Sequence, residues 1–264
     1  MKLTDQQVFM IGGKPCFTTG DYEEGRKKTL TYQILNDHHE ERNDGLTYVT
    51  AGAGCLLSRF GNYCAEAGLE GAEFACGIPG TVGGAVFMNA GAYGREIKDI
   101  AVSVRYLEDN EVKEISADEC VFSYRTSIFC RKQASGHQPV ILSMKAALKK
   151  GNKEKIGAYV AELRQKRAAS QPLDVPSAGS TFKRPEGCYA AKLIEDSGLK
   201  GFALDDSGAQ VSPKHAGFIV NNNGCASAED IFKLIEYVRG KVFEDSGVRL
   251  EREVRLVGEF EGER

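Results

Sequence analysis

What the chain lacks narrows its possible roles first. No apolar run is long enough to span a bilayer, and the start, Met1-Lys2-Leu3-Thr4-Asp5-Gln6-Gln7, has no apolar core of the secretory kind. Eight cysteines, at positions 16, 55, 64, 76, 120, 130, 188 and 225, form no Cys-x-x-Cys pair, which argues against zinc and predicts no metal site. With no export signal, free thiols in a reducing compartment are expected, and the location predicted is cytoplasmic. Net charge is only −3 and no lysine or arginine run forms a basic stripe, so neither nucleic acid nor a membrane is an expected partner. The Gly-x-Ser-x-Gly elbow of serine hydrolases is missing and there are only four histidines. Repeats and low-complexity tracts are absent.

What is present describes a soluble globular chain. Its 264 residues, 42% hydrophobic and 27% charged, suffice for two domains. The densest signal is Gly77-Ile78-Pro79-Gly80-Thr81-Val82-Gly83-Gly84-Ala85-Val86-Phe87-Met88-Asn89-Ala90-Gly91-Ala92-Tyr93-Gly94. Glycine serves where φ is positive or where another group must approach the backbone. A buried glycine-dense turn with bare N–H groups can cradle a phosphate or the edge of a flat ring. The alternative is a set of tight turns between short strands.

Around that stretch, Val8–Ile11 with Gly12-Gly13 reads as strand and turn, residues 29–35 as a strand, and 36–45, with His38-His39-Glu40-Glu41, as a polar loop. Leu46–Thr50 is a strand stopping at Ala51-Gly52-Ala53-Gly54, and Leu56, Leu57, Phe60, Tyr63 and Cys64 recur at helical spacing up to Gly68. Strands follow at 100–107, 112–115 (across an Asp109-Asn110 turn) and 139–144, while 122–129 is a polar-aromatic segment. A helix over 153–169 links to an α+β half with helices at 190–196 and from Ser227, a strand at 216–220 and a closing strand at Val254–Val257. The domain boundary is expected near residue 150.

Three polar residues sit in apolar or glycine-punctuated surroundings: Arg125 after Tyr124, Ser180 after Gly179, and Glu253 before Val254. Each taken alone fits a structural role. Together they supply an anion binder, a hydroxyl donor and an acid, the parts for protonating a carbon beside an anionic group.

On these motifs the chain resembles the UDP-N-acetylenolpyruvoylglucosamine reductase family, in its compact branch. The likeness runs over residues 51–264 and rests on Ala51–Gly54, Gly77–Gly94, Tyr124–Phe129, Pro176–Pro185, Gly208–Asn221 and Leu250–Val254. The resemblance implies an α+β fold: an FAD-binding domain of vanillyl-alcohol-oxidase type over 1–150, then a smaller substrate domain over 151–264. It implies FAD and NADPH as cofactors, UDP-N-acetylglucosamine enolpyruvate as substrate, and a monomer. By the same resemblance Ser180 donates the proton, while Arg125 and Glu253 polarise the substrate carboxylate and stabilise the enol. The flavin contacts are Gly77, Ile78, Pro79, Gly80, Thr81, Gly83, Gly84, Asn89, Ala90, Gly91, Ala92 and Tyr93. The substrate contacts are Tyr124, Lys183, Lys200 and His215.

Residues 1–45 depart from the family. Where a Gly-x-Gly-Ser-Asn loop would wrap the FAD diphosphate, only Ile11-Gly12-Gly13-Lys14-Pro15-Cys16-Phe17 stands, with proline where an amide donor is needed. The expectation is an incomplete first subdomain, truncated, frame-shifted or diverged. Arg184, and Ala203–Ser207 before Ala209, are smaller departures. A non-catalytic relative that binds a UDP-sugar without FAD is the alternative; a flavin oxidase using oxygen is disfavoured by the Ser180 and Glu253 motifs.

Overall fold

The computed structural model describes residues 44–260, together with the backbone of three short strands before them. Those strands are β1 (Val8–Ile11), β2 (Lys14–Thr18) and β3 (His39–Glu41). β1 and β2 pair antiparallel, so Val8–Ile11 is a strand as its sequence predicts. The strand expected over residues 29–35 lies outside the described residues.

Alternation builds the main sheet. In β4 (Leu46–Gly52) Thr47, Val49 and Ala51 are buried while Leu46, Tyr48 and Thr50 are not, the period-2 pattern of a strand with one face on a core. The chain continues through α1 (Leu57–Glu66), β5 (Leu69–Glu70), a 3-10 turn over Glu73–Gly77, α2 (Val82–Met88), the ribbon β6 (Gly91–Ala92) and β7 (Arg95–Glu96), β8 (Ala101–Glu108) and β9 (Glu111–Ser116). Then come α3 (Ile128–Ala134), β10 (Val140–Lys150) and α4 (Lys153–Ser170). The spatial order is β3-β4-β10-β8-β9, antiparallel throughout, with β5 also on β10. Val104 and Tyr106 of β8 and Met144, Ala146 and Leu148 of β10 meet Leu57 and Phe60 of α1, Val82 and Val86 of α2, and Ile97 in one core. Asp109 and Asn110, both at positive φ (53° and 63°), make the tight β8–β9 turn that suits strand twist.

One reading of this half is corrected, and two stretches take a structure the sequence left open. His39–Glu41, predicted as loop, is an edge strand on β4, held by backbone pairing that needs no apolar side chain. The glycine stretch is not only turns, because Val82–Met88 is a helix. The segment 122–129 is a tight turn leading into α3.

The chain divides into two compact units, Met1–Arg164 and Gln165–Arg264, so the division falls inside α4 rather than at residue 150. In the second unit β11 (Ser177–Ser180), β12 (Ala209–Val211) and β13 (Phe218–Asn221) form a sheet in the order β11-β13-β12. α5 (Ala190–Asp196) and α6 (Ala228–Ser246) complete it, and Phe182, Ile194, Val211, Leu234, Ile235 and Val238 fill its core. α6 starts at Ser227 as expected, where Ser227 and Asp230 form a capping box, and stops at Gly247 with φ 71°. The closing strand expected at Val254–Val257 does not form: pairing is limited to a bridge between Phe182 and Arg252, and Val257 is 90% exposed. The ladder has nothing regular to extend, since β11 is irregular between Ser177 and Ser180 and Gly179 sits at φ 86°.

Candidate active site

The glycine stretch wraps a short helix clamped at its start by the Ala51–Gly54 loop. Val82 N donates to Cys55 O at 2.8 Å and Gly83 N to Ala53 O at 2.9 Å, while the Thr81 hydroxyl caps Gly84 N at 3.3 Å. The first-turn amides are therefore used within the protein, not left bare as the sequence reading supposed.

The glycines divide by what surrounds them. A Cβ on Gly83 would stand 2.8 Å from the Ala53 Cβ, and one on Gly91 2.5 Å from the Arg95 carbonyl, so both are demanded by the protein's own packing. Gly84 is exposed, and a Cβ there would meet only the Thr81 hydroxyl at 3.6 Å; Gly80, at φ 110°, faces open space. Among the described residues the amides of Gly80 and Thr81 donate to no protein acceptor. Glycine in a helix costs about 0.5–1 kcal/mol against alanine. Gly84 carries that cost although no neighbouring atom crowds a side chain there.

At the far end of α2 the chain turns through Asn89, at φ 49° and 0% exposure. Its side chain was expected against the flavin but is turned inward. Nδ2 donates to Glu96 Oε2 at 2.9 Å and to Ser123 O at 3.0 Å, and Oδ1 accepts from Lys98 N at 3.0 Å. Ala90 is likewise buried, its amide on Ala85 O. Gly77, Ile78 and Ala92 are half-buried, Pro79 and Gly80 exposed. Tyr93 is 43% exposed and its hydroxyl donates to Leu163 O at 3.1 Å.

The Tyr124-Arg125 motif docks on this stretch. Ser123 N donates to Thr126 O and Thr126 N to Ser123 O, closing a tight turn with Arg125 at φ 52°, a conformation non-glycine residues seldom adopt. The guanidinium donates from Nη2 to Gly91 O at 3.1 Å and lies 5.1 Å from the Tyr124 ring centroid. Sequence reasoning missed Ser127, which is fully buried, donates to Phe87 O at 2.6 Å and caps α3. A serine just before Ile128 and its helical run was the available signal.

In the second unit Ser180 is exposed at the end of β11, next to Thr181, whose carbonyl accepts from Glu253 N at 2.9 Å. The structure thus brings Ser180 and the half-buried Glu253 to neighbouring backbone positions. Thr181 itself is buried and its hydroxyl accepts from Ile219 N at 3.1 Å, which fixes the strand beneath Ser180. Lys183 pairs with Glu251, and Lys200 with Glu195 at 2.9 Å. Such exposed pairs contribute about 0–1 kcal/mol, so either ammonium is readily given up to a ligand phosphate. His215 Nδ1 accepts from Gly217 N at 3.1 Å, so Nε2 carries the proton of the neutral ring. Burial, and then the nearby Lys200, hold its pKa below the usual histidine value. A separate apolar groove of about 490 Å³, lined by Ile231, Phe232, Ile235, Val257 and Phe260 among others, touches neither Ser180 nor Glu253.

Cys55, Cys64, Cys76 and Cys120 are buried free thiols, and burial raises the pKa of each, Cys76 to about 11 and Cys120 to about 12. They are inert packing groups.

Residues 171–257 match the profile of the UDP-N-acetylenolpyruvoylglucosamine reductase C-terminal domain, and residues 3–113 match that of an FAD binding domain. A UDP-N-acetylenolpyruvoylglucosamine reductase of Agathobacter rectalis is 51% identical over 218 residues, covering 82% of this chain and 67% of the relative. The chain belongs to the UDP-N-acetylenolpyruvoylglucosamine reductase family. A second member, from Clostridium novyi, is 46% identical over 89% of this chain and 73% of its own length. The crystal structure of UDP-N-acetylenolpyruvylglucosamine reductase from Thermus caldophilus matches with TM-score 0.66 at 35% identity, covering 77% of this chain and 71% of that one. The FAD-binding match begins at residue 3, so most of the atypical segment 1–45 lies within the matched region. Gly12 and Gly13, where the diphosphate loop was sought, lie outside the described residues.

Proposed function

We propose that this chain reduces UDP-N-acetylglucosamine enolpyruvate to UDP-N-acetylmuramate, a peptidoglycan precursor, as a cytoplasmic monomer using FAD and NADPH. The open backbone at Gly80 and Gly84 carries the reading. No neighbouring side chain or backbone crowds either position, and they stand in a chain whose relatives are named for this reductase activity. Gly77–Gly84, with the amides of Gly80 and Thr81, would hold the cofactor. When bound, FAD reduced by NADPH supplies a hydride from N5 to the enolpyruvyl β-carbon.

The remaining chemistry belongs to side chains. As the hydride arrives, negative charge develops at the α-carbon and spreads into the adjacent carboxylate. Arg125, held by the Gly91 carbonyl, is the cation that stabilises this charge. Ser180 transfers its hydroxyl proton to the α-carbon, completing net addition of hydride and proton across the double bond. Glu253 stabilises the enol form. Lys183, Lys200 and the Nε2–H of His215 would bind the uridine diphosphate portion, with Tyr124 beside Arg125.

Flavin content of the purified chain is the first test, by absorbance near 450 nm; a colourless protein that takes up no added FAD refutes the reading. In the flavin-loaded protein, Ser180→Ala should slow substrate reduction about 10²- to 10⁴-fold while NADPH still reduces the flavin. Equal loss in both half-reactions would remove Ser180 from that role.

A further inference from the structure

Asn89 is an unexpected choice for its backbone. α2 ends with Ala90 N donating to Ala85 O at 2.8 Å, and the left-handed residue between is Asn89. Glycine is the residue that usually closes a helix in this way, since it adopts positive φ without steric cost. Asparagine here is explained by its side chain. All three of its hydrogen bonds are made inside the protein, to Glu96, to Lys98 N and to Ser123 O, across 34 residues of sequence in the last case.

The Ser123 carbonyl also receives Thr126 N at 3.2 Å and so closes the turn that carries Arg125. One buried amide therefore holds the base of that turn, while the backbone two residues beyond it offers Gly91 O to the Arg125 guanidinium. Arg125 at φ 52° is a conformation that persists only where the surroundings fix it. The Asn89–Ser123 bond and the buried Ser127 hydroxyl on Phe87 O are two buried side-chain ties that help do so.

We infer that Asn89 is a positioning residue for Arg125: it does not contact the cofactor but sets the strained turn that aims the guanidinium. The inference rests on the role of Arg125 given under Proposed function. Displacing a charge-stabilising group by about 1 Å can cost on the order of 10²-fold in rate.

Two variants test it in the full chain. Asn89→Gly keeps the backbone free to hold positive φ and deletes the side chain. Asn89→Asp keeps shape and the bond from Lys98 N but places an acceptor against the Ser123 carbonyl. The first readout needs no activity: trypsin cleavage after Arg125, followed by mass spectrometry against cleavage after Arg131. Both variants should speed the cut after Arg125 at least about tenfold relative to the reference site, as the turn opens more often. The second readout is a double-mutant cycle with Arg125→Ala, on the flavin-loaded enzyme. Asn89→Gly should slow substrate reduction about 10- to 100-fold in the parent. In the Arg125→Ala background it should cost less than about threefold. Flavin content and reduction by NADPH should hold.

An unchanged cut after Arg125, or equal losses in both backgrounds, overturns the inference while leaving the reductase reading intact. If Arg125→Ala alone leaves substrate reduction unaffected, the role assigned to Arg125 falls and takes the inference with it. Loss of flavin in both Asn89 variants would make Asn89 a cofactor contact instead, and would also overturn it.

Discussion

Gly83 and Gly84 are adjacent in sequence and in one helical turn, yet alanine at the two sites should act in opposite directions. At Gly83 the new methyl would stand 2.8 Å from the Ala53 Cβ and 3.2 Å from the Ala53 carbonyl that its own amide bonds. That overpacking should cost about 1–3 kcal/mol. At Gly84 the nearest atom lies at 3.6 Å, an ordinary contact, and the helix gains about 0.5–1 kcal/mol from losing a glycine. For a unit of this size that corresponds to a melting temperature raised by about 1–4 °C in flavin-free protein. The same methyl would fill the surface assigned to the flavin. If the ring packs there, forcing it away should cost about 1–3 kcal/mol, or roughly 5- to 150-fold in Kd for FAD. The assay pairs calorimetry of flavin-stripped Gly84→Ala with fluorescence titration by FAD. Gly84→Ala that is more stable and binds FAD with unchanged Kd would refute the argument that this glycine is kept for a ligand.

Two further outcomes follow from packing and charge. Ser127→Ala removes the α3 cap and the buried bond to Phe87 O, and urea unfolding should show a loss of about 1–2 kcal/mol; no loss would mean the cap contributes nothing. Glu108 accepts from Lys132 Nζ at 2.7 Å and Lys113 Nζ at 3.2 Å, and these bonds hold its carboxyl below the ordinary value of 4.5. A depressed folded value means that the stabilisation is present above pH 4.5 and is lost as pH falls through the folded value. Glu108→Gln should therefore melt lower than the parent at pH 7, with the difference closing in acid. A difference that does not change with pH would refute the ion-pair account.

How far the sequence revealed this molecule depended on which force decided each element. α1 and α4 were legible because apolar spacing and stops agreed, α6 because a capping box did as well, and strands β4, β8 and β9 because alternation and turn residues did. α2 was hidden because its first turn holds two glycines, and packing against β10 and the Ala53 loop overrides that weak propensity. β3 carries a polar sequence, since an edge strand is held by its backbone. Val254–Val257 was misread because an apolar run alone does not supply a straight partner strand. At the site, the motifs gave the residues but not their orientation. That the Asn89 side chain reaches the Ser123 carbonyl, or that the Arg125 guanidinium reaches the Gly91 carbonyl, depends on pairing across 34 positions of sequence.

β10 has a consequence for how the first unit assembles. β4 and β8 do not pair with each other; both pair with β10, which lies between them. During synthesis, β4 and the β8–β9 hairpin each wait with an open edge until residues 140–150 have been made. The sheet is closed by its last strand, a late, long-range step of the kind that slows folding and leaves earlier segments open to aggregation. A chain halted before Val140 would hold the sequences of α1 to α3 and of the β8–β9 hairpin without the strand that joins them.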